Sequence, residues 1–324
     1  MNYDILVIGC GPAGIWATVY GILNNKKICV IEATKDIGGQ PLLIYAEKTV
    51  EDIPGFIHIR AGEYVQNLIK QFEYYKDQYT LYLETRILNW IWDEKNMQYI
   101  CMLSNNKTIN ARYIIFATGI GKYLPKKLTS LNQNNQLKEV NYIIKNLNKF
   151  KDKKIVIFGG GDSAIDWANF LIENKISNKI SIVHRSNSFK ALEKNVLKLE
   201  QNNIEQYLNY SLKDGNDYQL SLVHNENKDQ EIIIEYDEII CMYGIEANNE
   251  HVEDLKVFDM KANKFITNRS QQTNIKNIYA IGQACIYENR ANLIVVAQAE
   301  ASNAIKAINN EDIKRKKELL KKDL

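Results

Sequence analysis

The chain has 324 residues, 45% of them hydrophobic and 25% charged, with 41 Lys+Arg against 39 Asp+Glu and a formal net charge of +2. That length holds two domains, each large enough to bury its own core, and the composition excludes a disordered or fibrous protein. A charge so near neutral gives no overall attraction to nucleic acid, no apolar run reaches membrane-spanning length, and no signal-like segment precedes the first strand, so a cytoplasmic protein without nucleic-acid or membrane partners is expected.

Residues 5–8 form a short apolar, β-branched run that reads as a buried strand. Gly9, Gly11 and Gly14 follow at GxGxxG spacing and open a helix over residues 13–20. The first glycine makes the tight turn, the second lets backbone N–H groups approach a pyrophosphate, and the third lets helix pack on strand. The next strand, residues 28–31, ends in Glu32, where a carboxylate can hold ribose hydroxyls. A dinucleotide with a non-phosphorylated ribose, FAD or NAD, is the expected guest.

Residues 37–56 then read as a long loop carrying Ile37-Gly38-Gly39-Gln40-Pro41, Tyr45 and Asp52-Ile53-Pro54-Gly55-Phe56. The Gln40 amide can read a flavin ring edge as donor or acceptor, and Tyr45 can stack on an isoalloxazine. Val65, Leu68, Ile69 and Phe72 fall at i, i+3, i+4 and i+7, an amphipathic helix. Residues 80–110 change to short strands, a small inserted β-meander. A buried strand over 112–117 runs into Ala117-Thr118-Gly119, where a first hinge is expected.

A second nucleotide turn follows. Residues 154–158 form a strand, Gly159-Gly160-Gly161-Asp162-Ser163-Ala164 supplies GxGxxA, and residues 165–173 carry a helix. The next strand, 180–183, ends in His184-Arg185, a cation where the first unit has a carboxylate, and this selects NADP over NAD. A second hairpin lies over 218–236, and Tyr243-Gly244 is the expected return hinge. A strand over 277–281 ends at Gly282-Gln283, and 292–308 reads as a helix whose N-terminus can face a flavin ring; residues 314–324 form a lysine-rich tail. Cys10, Cys29, Cys101, Cys241 and Cys285 are scattered with no CxxC pair, so neither a dithiol centre nor a metal site is signalled.

Taken together, GGQ, DIPGF and GGGDSAIDWA on two nucleotide turns resemble the thioredoxin reductase-like flavoproteins over nearly the whole chain. Residues 136–148 lack the cysteine pair of the disulfide-reducing branch. The chain is more similar to the thioredoxin reductase-like ferredoxin-NADP reductases, through IPGF followed by IRAGE, the DSAIDWA helix, Tyr243-Gly244 and Asn292-Leu293-Ile294. This resemblance implies an α/β protein of two Rossmann-like dinucleotide-binding domains, the NADPH domain inserted in the FAD domain and each carrying a small β-meander. The parts are 1–118 and 244–310 for FAD, 119–243 for NADPH, and 311–324 as a charged tail.

The resemblance further implies that Gly9, Gly11, Gly14 and Glu32 hold the FAD adenosine and pyrophosphate. Gln40, Tyr45, Ile87, Tyr123 and Gln283 are the other FAD residues; Gly159, Gly161, Asp162, Ser163, His184 and Arg185 take NADPH. The implied enzyme is a homodimeric ferredoxin-NADP reductase with ferredoxin or flavodoxin as partner and no acid–base catalytic residue. Three features depart from the family: Gln283 replaces the aspartate that binds the ribityl chain, Ser186 and Lys190 stand where further arginines are usual, and no aromatic residue follows Tyr287. A flavin-dependent NAD(P)H reductase or oxidase with a small acceptor, a thioredoxin reductase-like enzyme, and a flavin-free nucleotide-binding relative are the alternatives.

Overall fold

The apolar run after Asn2 forms the strand Asn2–Ile8, apolar on both faces because both faces are covered. It pairs in parallel with Ile28–Ile31 on one side and Thr108–Phe116 on the other. Ile5 and Val7 enter one core while Leu6 and Ile8 enter the other, the period-two alternation of a central strand. The computed structural model describes residues 1–131, 137, 139–144, 146–248 and 257–322, and the chain divides into two units.

The first unit comprises Met1–Lys122 and Ala247–Leu324. Its seven-stranded sheet is extended at one edge by Tyr79–Tyr82 and at the other by the antiparallel strands Gln98–Leu103 and Ile87–Asp93. The meander therefore continues the main sheet. It uses the early half of Thr108–Phe116, whose later half pairs in parallel with Ile278–Ala280. Helices Pro12–Leu23, Ala61–Tyr74 and Ile294–Lys322 supply the core on one face; Val65, Leu68, Ile69 and Phe72 are buried in it as their spacing requires.

Two stretches differ from their sequence reading. The loop after Glu32 contains a short helix, Gly39–Leu43, and a two-residue strand pair, Thr49–Val50 with Ile59–Arg60. The last helix does not stop near residue 308 but runs to Lys322, because no Gly or Pro interrupts it and Asp312 anchors it. Asp312 accepts from Lys26 Nζ at 2.6 Å and from the Tyr113 hydroxyl at 3.0 Å. Burial opposes its charge, but these partners outweigh that and hold the carboxyl below its ordinary value.

The second unit, Tyr123–Glu246, repeats the plan. A five-stranded parallel sheet runs in the order Val140–Asn141, Glu238–Cys241, Lys154–Phe158, Lys179–His184, Glu205–Leu208. Ile155 and Ile157 meet the helix Asp162–Glu173 on one face. Val156 and Phe158 meet the antiparallel meander Tyr210–Gly215, Gln219–His224, Glu231–Glu235 on the other.

Candidate functional site

In the first unit, the strand Asn2–Ile8 ends at Gly9, whose φ of +101° is open only to glycine, and the helix Pro12–Leu23 begins at once. A Cβ on Gly14 would strike the Gly9 carbonyl, and one on Gly9 would lie 2.5 Å from the Ala117 carbonyl, so strand end and helix start touch through backbone. No side chain caps the helix at Gly11, which leaves its first N–H groups and its positive dipole end to an anion. Glu32 stands against this turn: its Oε2 accepts from the Cys10 amide at 2.8 Å, and its Oε1 from the Thr34 amide at 2.9 Å. The Thr34 hydroxyl also donates to Oε1 at 3.0 Å, so one of the about four acceptor sites of a carboxylate remains for a ribose hydroxyl.

The segment after Glu32 closes over the same place. Gly38 donates to the Cys10 carbonyl at 2.8 Å, and a Cβ on Gly39 would lie 2.8 Å from the Gly11 Cα. Gln40, in the short helix, has its Nε2 3.6 Å from where a Gly119 Cβ would stand, which joins the GGQ and ATG segments. Tyr45 is half-buried, and burial, reinforced by Asp52, pushes its hydroxyl up to about 12. It is a neutral ring at any physiological pH. Ile87 is buried at the start of Ile87–Asp93, paired with Leu103 and sharing a core with Ile31, one residue before Glu32. Tyr123 lies in the strand Lys122–Pro125, and its side chain is outside the described residues.

Gly282 and Gln283 follow Ile278–Ala280 in a single 3-10 turn. A Gly282 Cβ would stand 3.2 Å from the Ala13 Cβ, so this turn meets the helix of the glycine turn. The sequence reading missed what holds it. Glu300, on the last helix and 1% exposed, accepts from the Gly282 amide at 2.7 Å, from Arg290 Nε at 2.7 Å and Nη2 at 3.1 Å, and from the Tyr287 hydroxyl at 2.9 Å. Only the isolated acid in the apolar run AQAEASNAI signals it in the sequence. Gln283 itself accepts from Lys264 Nζ at 3.3 Å.

The second unit builds its turn the same way. Gly159 has φ +151°, and the helix Asp162–Glu173 starts after Gly161 with no side-chain cap. Ser163 is exposed there, while the Asp162 carboxylate accepts from the Leu192 amide at 2.9 Å. The chain returns past the strand end so that Lys190 donates to the Gly160 carbonyl at 2.6 Å. His184 and Arg185 behave differently. The His184 ring lies directly under Gly160, where a Cβ would collide with it, and stacks on Phe189 at 5.7 Å. Burial lowers its pKa; a Ser188 backbone hydrogen bond opposes this, and Arg185 and Lys190 reinforce it. His184 is thus neutral at pH 7 and supplies no cation, whereas Arg185 and Lys190 are exposed.

Two glycine turns, each following a strand paired in parallel and opening an uncapped helix, define a nucleotide-binding protein of two Rossmann-type units. The chain belongs to the pyridine nucleotide-disulphide oxidoreductase family, whose model matches residues 3–301, and FAD with NADPH is the cofactor pair of that membership. It is 34% identical to a ferredoxin–NADP reductase of Malacoplasma penetrans over 307 residues, 94% of this chain and 95% of that one. A ferredoxin–NADP reductase of Ligilactobacillus salivarius is 33% identical, covering 97% and 94%. Among solved structures, thioredoxin reductases of Lactococcus lactis (TM-score 0.75, 21% identity, 95% and 98% covered) and T. acidophilum (TM-score 0.77, 18% identity, 96% and 99% covered) share the fold. No helix among the described residues is long and apolar enough to cross a membrane.

Proposed function

We propose that this chain is an FAD-dependent reductase that moves electrons between NADPH and ferredoxin or flavodoxin. The observation that carries the reading is the contrast between its two uncapped glycine turns: a carboxylate, Glu32, at the neighbouring strand end in one, and an exposed cation, Arg185, in the other. The first arrangement suits a ribose with free hydroxyls and the second a 2′-phosphate.

In the FAD unit, Gly9, Gly11 and Gly14 leave room and N–H groups for the pyrophosphate, and Glu32 takes the ribose. Ile87 offers backbone toward the adenine; Gln40, Tyr45 and Gln283 serve the rest of the cofactor. Tyr45, kept neutral by burial, contributes an apolar ring and no proton. In the NADPH unit, Gly159, Gly161 and Ser163 cradle the second pyrophosphate. Asp162 contributes its amide, since its carboxylate is turned to Leu192. His184 supports Gly160 from beneath, and Arg185 with Lys190 provides the charge. Bound FAD supplies the conversion between a two-electron hydride donor and one-electron carriers.

The acceptor reading rests on the names of the similar relatives and on the cysteines. All five are buried free thiols with no CxxC pair, so the chain offers no dithiol to reduce a disulfide partner. The resemblance also supports a homodimer in the cytoplasm. The test is an anaerobic absorbance titration of the purified protein with NADPH and then NADH, followed by steady-state turnover with ferredoxin. A flavin spectrum that bleaches with NADPH, and ferredoxin reduction faster than that of oxygen or quinone, is expected. Absence of flavin after reconstitution with FAD overturns the reading.

A further inference from the structure

At the position where the family resemblance places a ribityl-binding aspartate, this chain carries a neutral amide tied to a cation. Lys264 lies on the strand Lys264–Ile266, which pairs in parallel with Cys285–Ile286 through Phe265 and Cys285. Gln283 lies two residues before Cys285, so two short paired strands bring the side chains together, Lys264 Nζ donating to Gln283 Oε1 at 3.3 Å. Both residues are half-buried. Among the described residues Lys264 has no carboxylate partner, and the buried acid that holds this turn, Glu300, is already engaged by Arg290.

The chemistry of that corner follows. With its oxygen taken by the ammonium, Gln283 has its NH2 left to offer, and Lys264 retains two further N–H groups. The corner presents donors and one uncompensated positive charge. It adjoins the first glycine turn through the contact of Gly282 with Ala13. Donors with a net charge suit phosphate and ribityl oxygens, which accept hydrogen bonds and carry negative charge nearby. We propose that Lys264 and Gln283 act as one unit in binding the ribityl-pyrophosphate part of FAD. Lys264 orients the Gln283 amide and supplies a positive charge, opposite in sign to that of an aspartate. This inference rests on the FAD site proposed above.

The test uses the full-length apoprotein titrated with FAD, read by quenching of flavin fluorescence at low and at high salt. Lys264→Gln is expected to weaken FAD binding by about tenfold at low salt, the scale of one charge-assisted hydrogen bond, and to flatten the salt dependence. Lys264→Arg is expected to restore both. Wild-type affinity in Lys264→Gln overturns the proposal. So does a weakening with unchanged salt dependence that Lys264→Arg fails to rescue, since that marks a packing role alone. Failure of the wild-type protein to bind FAD at all is a separate result, and it removes the function proposed above.

Discussion

The amide of Cys10 donates to Oε2 of Glu32 at 2.8 Å, which makes the middle of the glycine turn and the end of the neighbouring strand one hydrogen-bonded unit. Glu32 therefore shapes the turn at which the FAD ribose is proposed to bind.

Glu32→Ala should act on both the cofactor and the empty protein. It leaves the Cys10 amide without its Glu32 acceptor and removes the acceptor proposed for the ribose, a loss of about 1.5–3 kcal/mol for hydrogen bonds to a charged group. FAD affinity is expected to fall by at least about tenfold in apoprotein titration. Glu32→Gln keeps an acceptor for Cys10 and should fall between the two. Equal affinity of Glu32→Ala and wild type would show that the strand-end carboxylate has no part in binding.

Glu300 is the acceptor for Gly282, Arg290 and Tyr287 in a site where its side chain is 2% and that of Arg290 4% exposed. Removing one member of such a pair leaves the other charge buried without compensation, at a cost of about 3–5 kcal/mol. Glu300→Ala should lower the unfolding free energy of the apoprotein by that amount, read from urea denaturation. Arg290→Met/Glu300→Leu should cost less than Glu300→Ala, because no charge is stranded, although the Gly282 amide still loses its acceptor.

The two glycine turns, the strand alternation and the amphipathic helix Ala61–Tyr74 were readable because each depends on residues within one local period. The same is true of Glu32 and Arg185, which sit at strand ends with a fixed offset from their turns. The Glu300 network was not readable, since residues 282, 287, 290 and 300 have no period and meet only once the last helix folds back onto the Gly282 turn. The lysine-rich stretch after residue 310 has the composition of a tail. Its helical state is set by Asp312 meeting Lys26, 286 positions away. His184 and Arg185 share a strand end, and the placing of the His184 ring under Gly160 is set by packing that has no local signal in the sequence.

The thiols should be silent in the native protein. Burial pushes Cys29, Cys101 and Cys285 up to about 12 and Cys241 up to about 11, and lifts Cys10 further, Glu32 adding to the effect there. An aromatic disulfide reagent at neutral pH should titrate none of the five until the chain is unfolded in guanidinium, and then all five. Fast reaction of a native thiol would reopen disulfide chemistry for this chain.

Arg185 carries most of the expected preference for a phosphorylated ribose, because Ser186 is neutral and Lys190 offers a point charge without the guanidinium fork. Arg185→Ala is expected to weaken NADPH by about tenfold or more while leaving NADH unchanged, both read as dissociation constants from anaerobic flavin bleaching. A parallel loss for both nucleotides would place Arg185 at the pyrophosphate instead.

The second unit should also lose stability in mild acid through His184. Its folded pKa lies below the ordinary 6.5, mainly through burial, so the unfolded chain takes up this proton first as the pH falls. The contribution of the neutral ring is complete above 6.5 and is lost as the pH drops below that value toward the lowered one. His184→Gln removes the titration but keeps a polar side chain under Gly160. Its urea midpoint should therefore change less than that of wild type between neutral pH and about pH 5.5, a range that brackets the ordinary histidine value. If the two proteins lose stability equally over that interval, the acid sensitivity lies elsewhere and the ring beneath Gly160 is not the group that senses it.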